Sequence, residues 1–218
     1  MFLLILITKA SINFLLILPL LLALQLLLKY MNQVTTSVYH KIGTFAFCFL
    51  MAGIFIVTGI PSILTIHMDV NISFKLFDGI IPYYEQYVNN VFLFMPFGFL
   101  LPLLWKRFNM TKTVFAGFLL SFAIETLQLF CFRCTDINDL WTNTLGAYFG
   151  YLLFLVIKKW FPRIVNKFSS NNSVTNKTSF LISHEIYVYI FITWFVIFFI
   201  HPFVSDNLMN LILNLNAG

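Results

Sequence analysis

The chain has 218 residues and a net charge of +5, yet it is 60% hydrophobic, 19% aromatic and only 10% charged, with a mean hydropathy of +0.90. Soluble domains are about 25% charged, so this composition excludes a globular fold in water and implies an all-α, polytopic bundle of about six transmembrane helices. The positive charge sits in short clusters beside apolar runs rather than in a continuous stripe, which excludes a nucleic-acid surface.

Each membrane crossing needs roughly 20 residues. Six apolar segments meet that length: 10–28, 43–66, 88–105, 113–132, 139–157 and 180–203. The first has no basic stretch ahead of it and ends in Leu28 and Lys29 rather than a small-residue cleavage site, so it reads as an uncleaved span. With the second it forms an N-terminal unit, 1–87, that includes an outer loop.

The third segment begins with Asn89 and Asn90 and carries Pro96, Gly98 and Pro102. Proline removes an N–H and bends a membrane helix, and a bend here is expected to open a cavity. In the fourth segment Ser121, Glu125 and Gln128 fall at i, i+4 and i+7, on one face. Glu125 would lie about 10 Å from the outer end, and an acidic group at that depth usually faces a bundle interior or a wet cavity.

Between the fourth and fifth segments Cys131 and Cys134 form a lone CxxC, too few ligands for zinc. No metal or cofactor is expected. Arg133 lies between the two cysteines, a side chain suited to gripping carboxylate or phosphate. Asp136, Asp139, Asn143, Gly146 and Gly150 then recur at steps of three and four, a single helical stripe. The glycines, with Gly98, read as helix-packing positions. Capping explains one Asp near a helix N-terminus, but not two together with Asn143 and a buried Glu125.

The last part, 158–218, reads as a basic connector that is mobile and cytoplasmic, followed by the sixth span. Lys29 and Lys41 flank the first connection, Lys106, Arg107 and Lys112 the third, and Lys158, Lys159, Arg163, Lys167 and Lys177 the fifth. These ten of the 13 basic residues lie on one side, which the positive-inside rule makes cytoplasmic. The polar motif then faces the extracytoplasmic side. The four histidines are scattered, with no i, i+4 pair.

Three blocks, "NNVFLFMPFGFLLPLL" (89–104), "SFAIETLQLF" (121–130) and "RCTDINDLWTNTLGAYFGYLL" (133–153), resemble the VanZ-like family of bacterial membrane proteins. The shared pattern is Asn-x-x-x-Phe-x-Pro-Phe-Gly, Glu-x-x-Gln and Arg-x-x-Asp-x-x-Asp-x-x-x-Asn-Thr-x-Gly-Ala, within a core at 88–157. The resemblance implies a multi-pass protein of the bacterial cell membrane that modulates sensitivity to teicoplanin-type glycopeptides. It carries over no catalytic residues.

The candidate polar site is Asn90, Glu125, Gln128, Arg133, Asp136, Asp139 and Asn143. Its expected partners, besides the bilayer, are lipid headgroups, lipid-linked cell-wall precursors or lipoglycopeptides. A membrane enzyme acting on a lipid-linked substrate is the alternative, and a small proton-coupled transporter ranks last.

Overall fold

The computed structural model describes residues 2–32, 37–68, 72–73, 80–131, 135–169 and 184–204. Its elements are α1 (Phe2–Asn32), α2 (Val38–Thr58), β1 (Ile72–Ser73), α3 (Ile80–Leu104), α4 (Met110–Gln128), β2 (Thr135–Asp136), α5 (Ile137–Trp160), α6 (Pro162–Phe168) and α7 (Glu185–Phe195). A π-helical turn, Val196–Ile200, prolongs α7. Among the described residues six helices are long and apolar enough to cross a membrane: Lys9–Leu27, Val38–Thr58, Tyr84–Leu104, Met110–Gln128, Ile137–Trp160 and Glu185–Val204. The fold is an all-α bundle, and β1 and β2 contribute only a two-residue parallel pairing.

Local chemistry sets the helix ends. Ser37 caps α2, its hydroxyl accepting from the His40 N–H at 3.1 Å. Gly59, at φ 62° and ψ 50°, ends the same helix in the left-handed region that glycine enters without strain. The second span therefore stops at Thr58, with Pro61 just beyond, and not at residue 66. Asn109 caps α4 through the Lys112 N–H at 3.0 Å. Lys158 and Lys159 occupy the last turn of α5, where cations complement the helix dipole.

α3 and α5 form the closest helix pair. A Cβ added at Gly98 would strike the Ala147 carbonyl, and one at Gly150 the Met95 carbonyl. One at Gly146 would come 2.5 Å from the Val91 carbonyl oxygen. Backbones in this contact leave no room for a methyl group, as small residues permit in membrane bundles. Gly117 of α4 meets the Ala147 side chain in the same way. α3 runs as one helix through Pro96 and Pro102.

Ile17 and Leu21 of α1, Phe47 and Met51 of α2, Phe94 and Phe97 of α3, Ile124 of α4 and Val196 after α7 fill one apolar core. Large apolar side chains also point outward, among them Phe115, Phe118 and Phe122, whose rings stack along one face of α4. Lipid is the solvent that suits such a surface.

The up-and-down packing sorts polar groups to two ends. At the basic end His40, the Phe168 carbonyl, Trp105 and Glu185 meet. His40 Nδ1 is 2.9 Å from the Phe168 oxygen and His40 Nε2 is 3.4 Å from Glu185 Oε2. Trp105 Nε1–H donates to Glu185 Oε2 at 3.2 Å, and the Tyr189 hydroxyl donates to Oε1 at 3.0 Å. A carbonyl can only accept, so Nδ1 carries a proton.

Pro162–Phe168 is a helix docked on α2, with Val165 and Ser169 buried; residues 170–183 lie outside the described residues. The opposite, acidic end holds a second polar cluster, at the junction of α3, α4 and α5.

Candidate functional site

Three helices build the polar junction. From α4 come Ser121, Glu125 and Gln128, all buried on one face. α4 ends at Gln128 rather than 132, so Glu125 sits one helical turn from its end, shallower than the sequence implies. Glu125 Oε2 accepts the Asp136 N–H at 3.0 Å, and its backbone carbonyl accepts the Thr135 hydroxyl at 3.0 Å. The buried carboxyl thus fixes the chain where it turns from α4 into α5. β1 reinforces the turn by pairing Ile72 with Thr135 and Ser73 with Asp136.

Asp136 does not lie on the α5 stripe. It is the N-cap, in extended conformation at φ −119° and ψ 123°, and its Oδ1 accepts both the backbone N–H and the side-chain amide of Asn138, each at 2.9 Å. An Asp at this position satisfies helix N–H groups that have no partner within the helix. Asp139, one turn on, faces α3: its Oδ1 accepts from Asn90 Nδ2 at 2.7 Å and from Gln86 Nε2 at 3.1 Å.

A turn deeper, Asn143 Nδ2 donates to the Ser121 hydroxyl at 2.9 Å. Gln128 turns away toward α2 and donates to the Thr58 carbonyl at 2.7 Å. The second polar atoms of both amides, Asn143 Oδ1 and Gln128 Oε1, are buried with no hydrogen-bond partner among the described residues. Below this level Gly117 and Ala147 close the α4–α5 seam.

The structure therefore gathers Asn90, Glu125, Asp136, Asp139 and Asn143 at the α3–α4–α5 junction, and gives Gln128 to the α2 contact. Arg133 and Cys134 lie outside the described residues. The buried Cys131 thiol donates to the Gln128 carbonyl at 3.3 Å. Gln86 and Asn138 were not singled out by the sequence. Gln86 precedes Asn90 by one turn on the same face, and Asn138 follows the cap residue by two, the spacing of an Asx turn. Among the described residues no three His, Cys, Asp or Glu side chains converge to hold a metal ion. What the junction can do chemically is hold hydrogen-bond donors: it presents carboxylate and amide oxygens fixed by backbone and amide contacts.

The junction falls inside a stretch with known relatives. The sequence profile described as VanZ/LLP1 matches residues 47–158, half of the chain, from the third turn of α2 to the last turn of α5. The chain belongs to the VanZ/LLP1 family. It is also similar to Protein VanZ of Enterococcus faecium, with 33% identity over 72 residues, a third of this chain and 45% of that protein. The chain thus spans about half the length of the curated relative that it matches. No solved structure matches it. Every described residue of the polar junction from α3, α4 and α5 lies within the VanZ/LLP1 match, whereas α1 and α7 lie outside it.

Proposed function

We propose that this VanZ-like protein acts in the bacterial cell envelope by lowering sensitivity to teicoplanin-type glycopeptides, through the polar junction of α3, α4 and α5 on the extracytoplasmic side. The observation that supports it is the engagement of Asp139 by Asn90 and Gln86, beside a Glu125 fixed to the Asp136 backbone, all within the family match. Such rigid acceptors suit recognition of a polar headgroup or peptide, because little ordering entropy remains to be lost on binding.

The sidedness rests on the basic residues. Lys41, Lys106, Arg107, Lys112, Lys158, Lys159, Arg163 and Lys167 belong to the end opposite the junction, and basic loops stay cytoplasmic. Lipid headgroups, lipid-linked wall precursors and lipoglycopeptides are the ligands of matching chemistry in the outer leaflet. Arg133, three residues before the cap, is the candidate to pair with their carboxylate or phosphate.

An enzyme acting on a lipid-linked substrate is the second reading, favoured by the burial of Glu125 at 6% exposure. It is weaker because Glu125 Oε2 is already held by a backbone N–H. A proton-coupled transporter needs a polar path through the bundle, and the Gly117–Ala147 contact interrupts the one on α4.

The experiment is drug susceptibility of a strain lacking this gene and complemented with wild type, Glu125→Gln or Arg133→Ala at equal membrane levels. Loss of protection in both variants supports the proposal. Full protection by both would make the junction structural. For the enzymatic reading, purified protein incubated with wall precursors should give a new product by mass spectrometry.

A further inference from the structure

A second feature lies away from the junction. Between α4 and α7, with Phe55 of α2 at its floor, runs a crevice of about 560 Å³, within the ~300–1,000 Å³ range of small-ligand pockets. Its walls are apolar, and the Thr126 hydroxyl on one of them is turned to its own helix, donating to the Phe122 carbonyl at 2.8 Å. The α7 wall starts at Tyr187, two residues inside the basic end, and reaches Trp194; the α4 wall extends to Leu127 near the acidic end.

Two observations identify what fits. The first is the character of the walls. A partner helix in a membrane docks through small residues, as α5 does on α3. Here the walls carry Tyr187, Phe191, Trp194 and Phe122, with Ala123 the one alanine and no glycine. Bulky side chains leave an irregular slot that a flexible hydrocarbon chain can follow and a straight helix cannot. The second is charge. The Arg107 guanidinium lies 5.8 Å from the centroid of the Tyr187 ring, at the mouth of the crevice, and Lys106 is its neighbour in the same exposed turn.

We propose that the α4–α7 crevice is a binding site for an anionic phospholipid. One acyl chain fills the slot between Tyr187 and Leu127, and the phosphate meets Arg107. The site is separate from the polar junction, takes a lipid from the leaflet at the basic end, and stands whether or not the junction acts on glycopeptides.

Native mass spectrometry of the full-length detergent-solubilised protein tests it, with phosphatidylglycerol and phosphatidylcholine offered at equal concentration. Wild type should retain phosphatidylglycerol in preference. Arg107→Ala should weaken that retention by about tenfold, the order expected for one charge-assisted hydrogen bond, and Lys159→Ala should not. Ala123→Trp, which fills the slot, should lower retention of both lipids. Equal retention of the two lipids by wild type, or an unchanged preference in Arg107→Ala, would overturn the proposal. So would a wild-type dimer that Ala123→Trp dissociates, since a second copy would then be the occupant. Arg107 lies outside the helices, so its variant decides the matter even if Ala123→Trp fails to fold.

Discussion

Asn90 of α3 donates its side-chain amide to the Asp139 carboxylate of α5 at 2.7 Å, and Gln86, one turn earlier on α3, donates to the same oxygen. Two amides on one helix face thus hold the acidic first turn of another helix. The contact closes the polar end of the most intimate helix pair in the molecule.

Asn90→Ala should lower stability by about 1–3 kcal/mol, the cost of depriving a partly buried charged acceptor of one donor. Thermal unfolding in detergent would show this as a drop in Tm of several degrees. An unchanged Tm would mean that Gln86 alone suffices.

The glycines of the α3–α5 contact can be separated by substitution. Gly150→Ala and Gly98→Ala would force a methyl group into backbone and should each destabilise by about 1–3 kcal/mol or more. Gly53 of α2 has nothing within 4 Å of an added Cβ. Gly53→Ala should be neutral or stabilise by up to ~1 kcal/mol through helix propensity. The same unfolding assay measures all three, and equal effects would contradict the packing account.

At the basic end, His40 and Glu185 are a buried pair with 1% and 5% of their surfaces exposed. Breaking such a pair by removing one partner costs about 3–5 kcal/mol, because the other is left buried. His40→Ala and Glu185→Ala should each approach that loss, and the double variant should lose less than their sum. A double-mutant cycle read by denaturant or thermal unfolding checks this, with strict additivity as the contrary result.

Much of this fold is legible in the sequence, because lipid imposes one rule on every span. About 20 apolar residues must be helical and must satisfy their own backbone, and the six crossings follow. The ends are read less well where apolar residues continue past a breaker. The second span looks apolar to residue 66, but Gly59 and Pro61 stop the helix at Thr58, and that Gly-x-Pro signal is present in the sequence.

The α4–α5 side of the junction is visible as helical spacing, since Ser121, Glu125 and Asn143 are repeats at fixed steps. The His40–Glu185 pair is not visible in that way. Its members are 145 positions apart, and nothing local distinguishes this histidine from the other three. Asp136 shows a different limit: its spacing fits the α5 stripe, yet the chain needs an N-cap there, and capping geometry takes it off the helix.

In the proposed function Glu125 acts through its carboxyl group rather than only through its place in the fold. Glu125→Gln keeps an oxygen that can accept the Asp136 N–H and removes only the carboxylate, so the bundle should persist. The most direct measurement is the teicoplanin inhibitory concentration of a deletion strain carrying wild type or Glu125→Gln, with membrane levels matched by immunoblot. Wild type should raise it and Glu125→Gln should leave it at the level of the deletion strain. A wild type that confers no protection, or a Glu125→Gln variant that protects equally, would contradict the account.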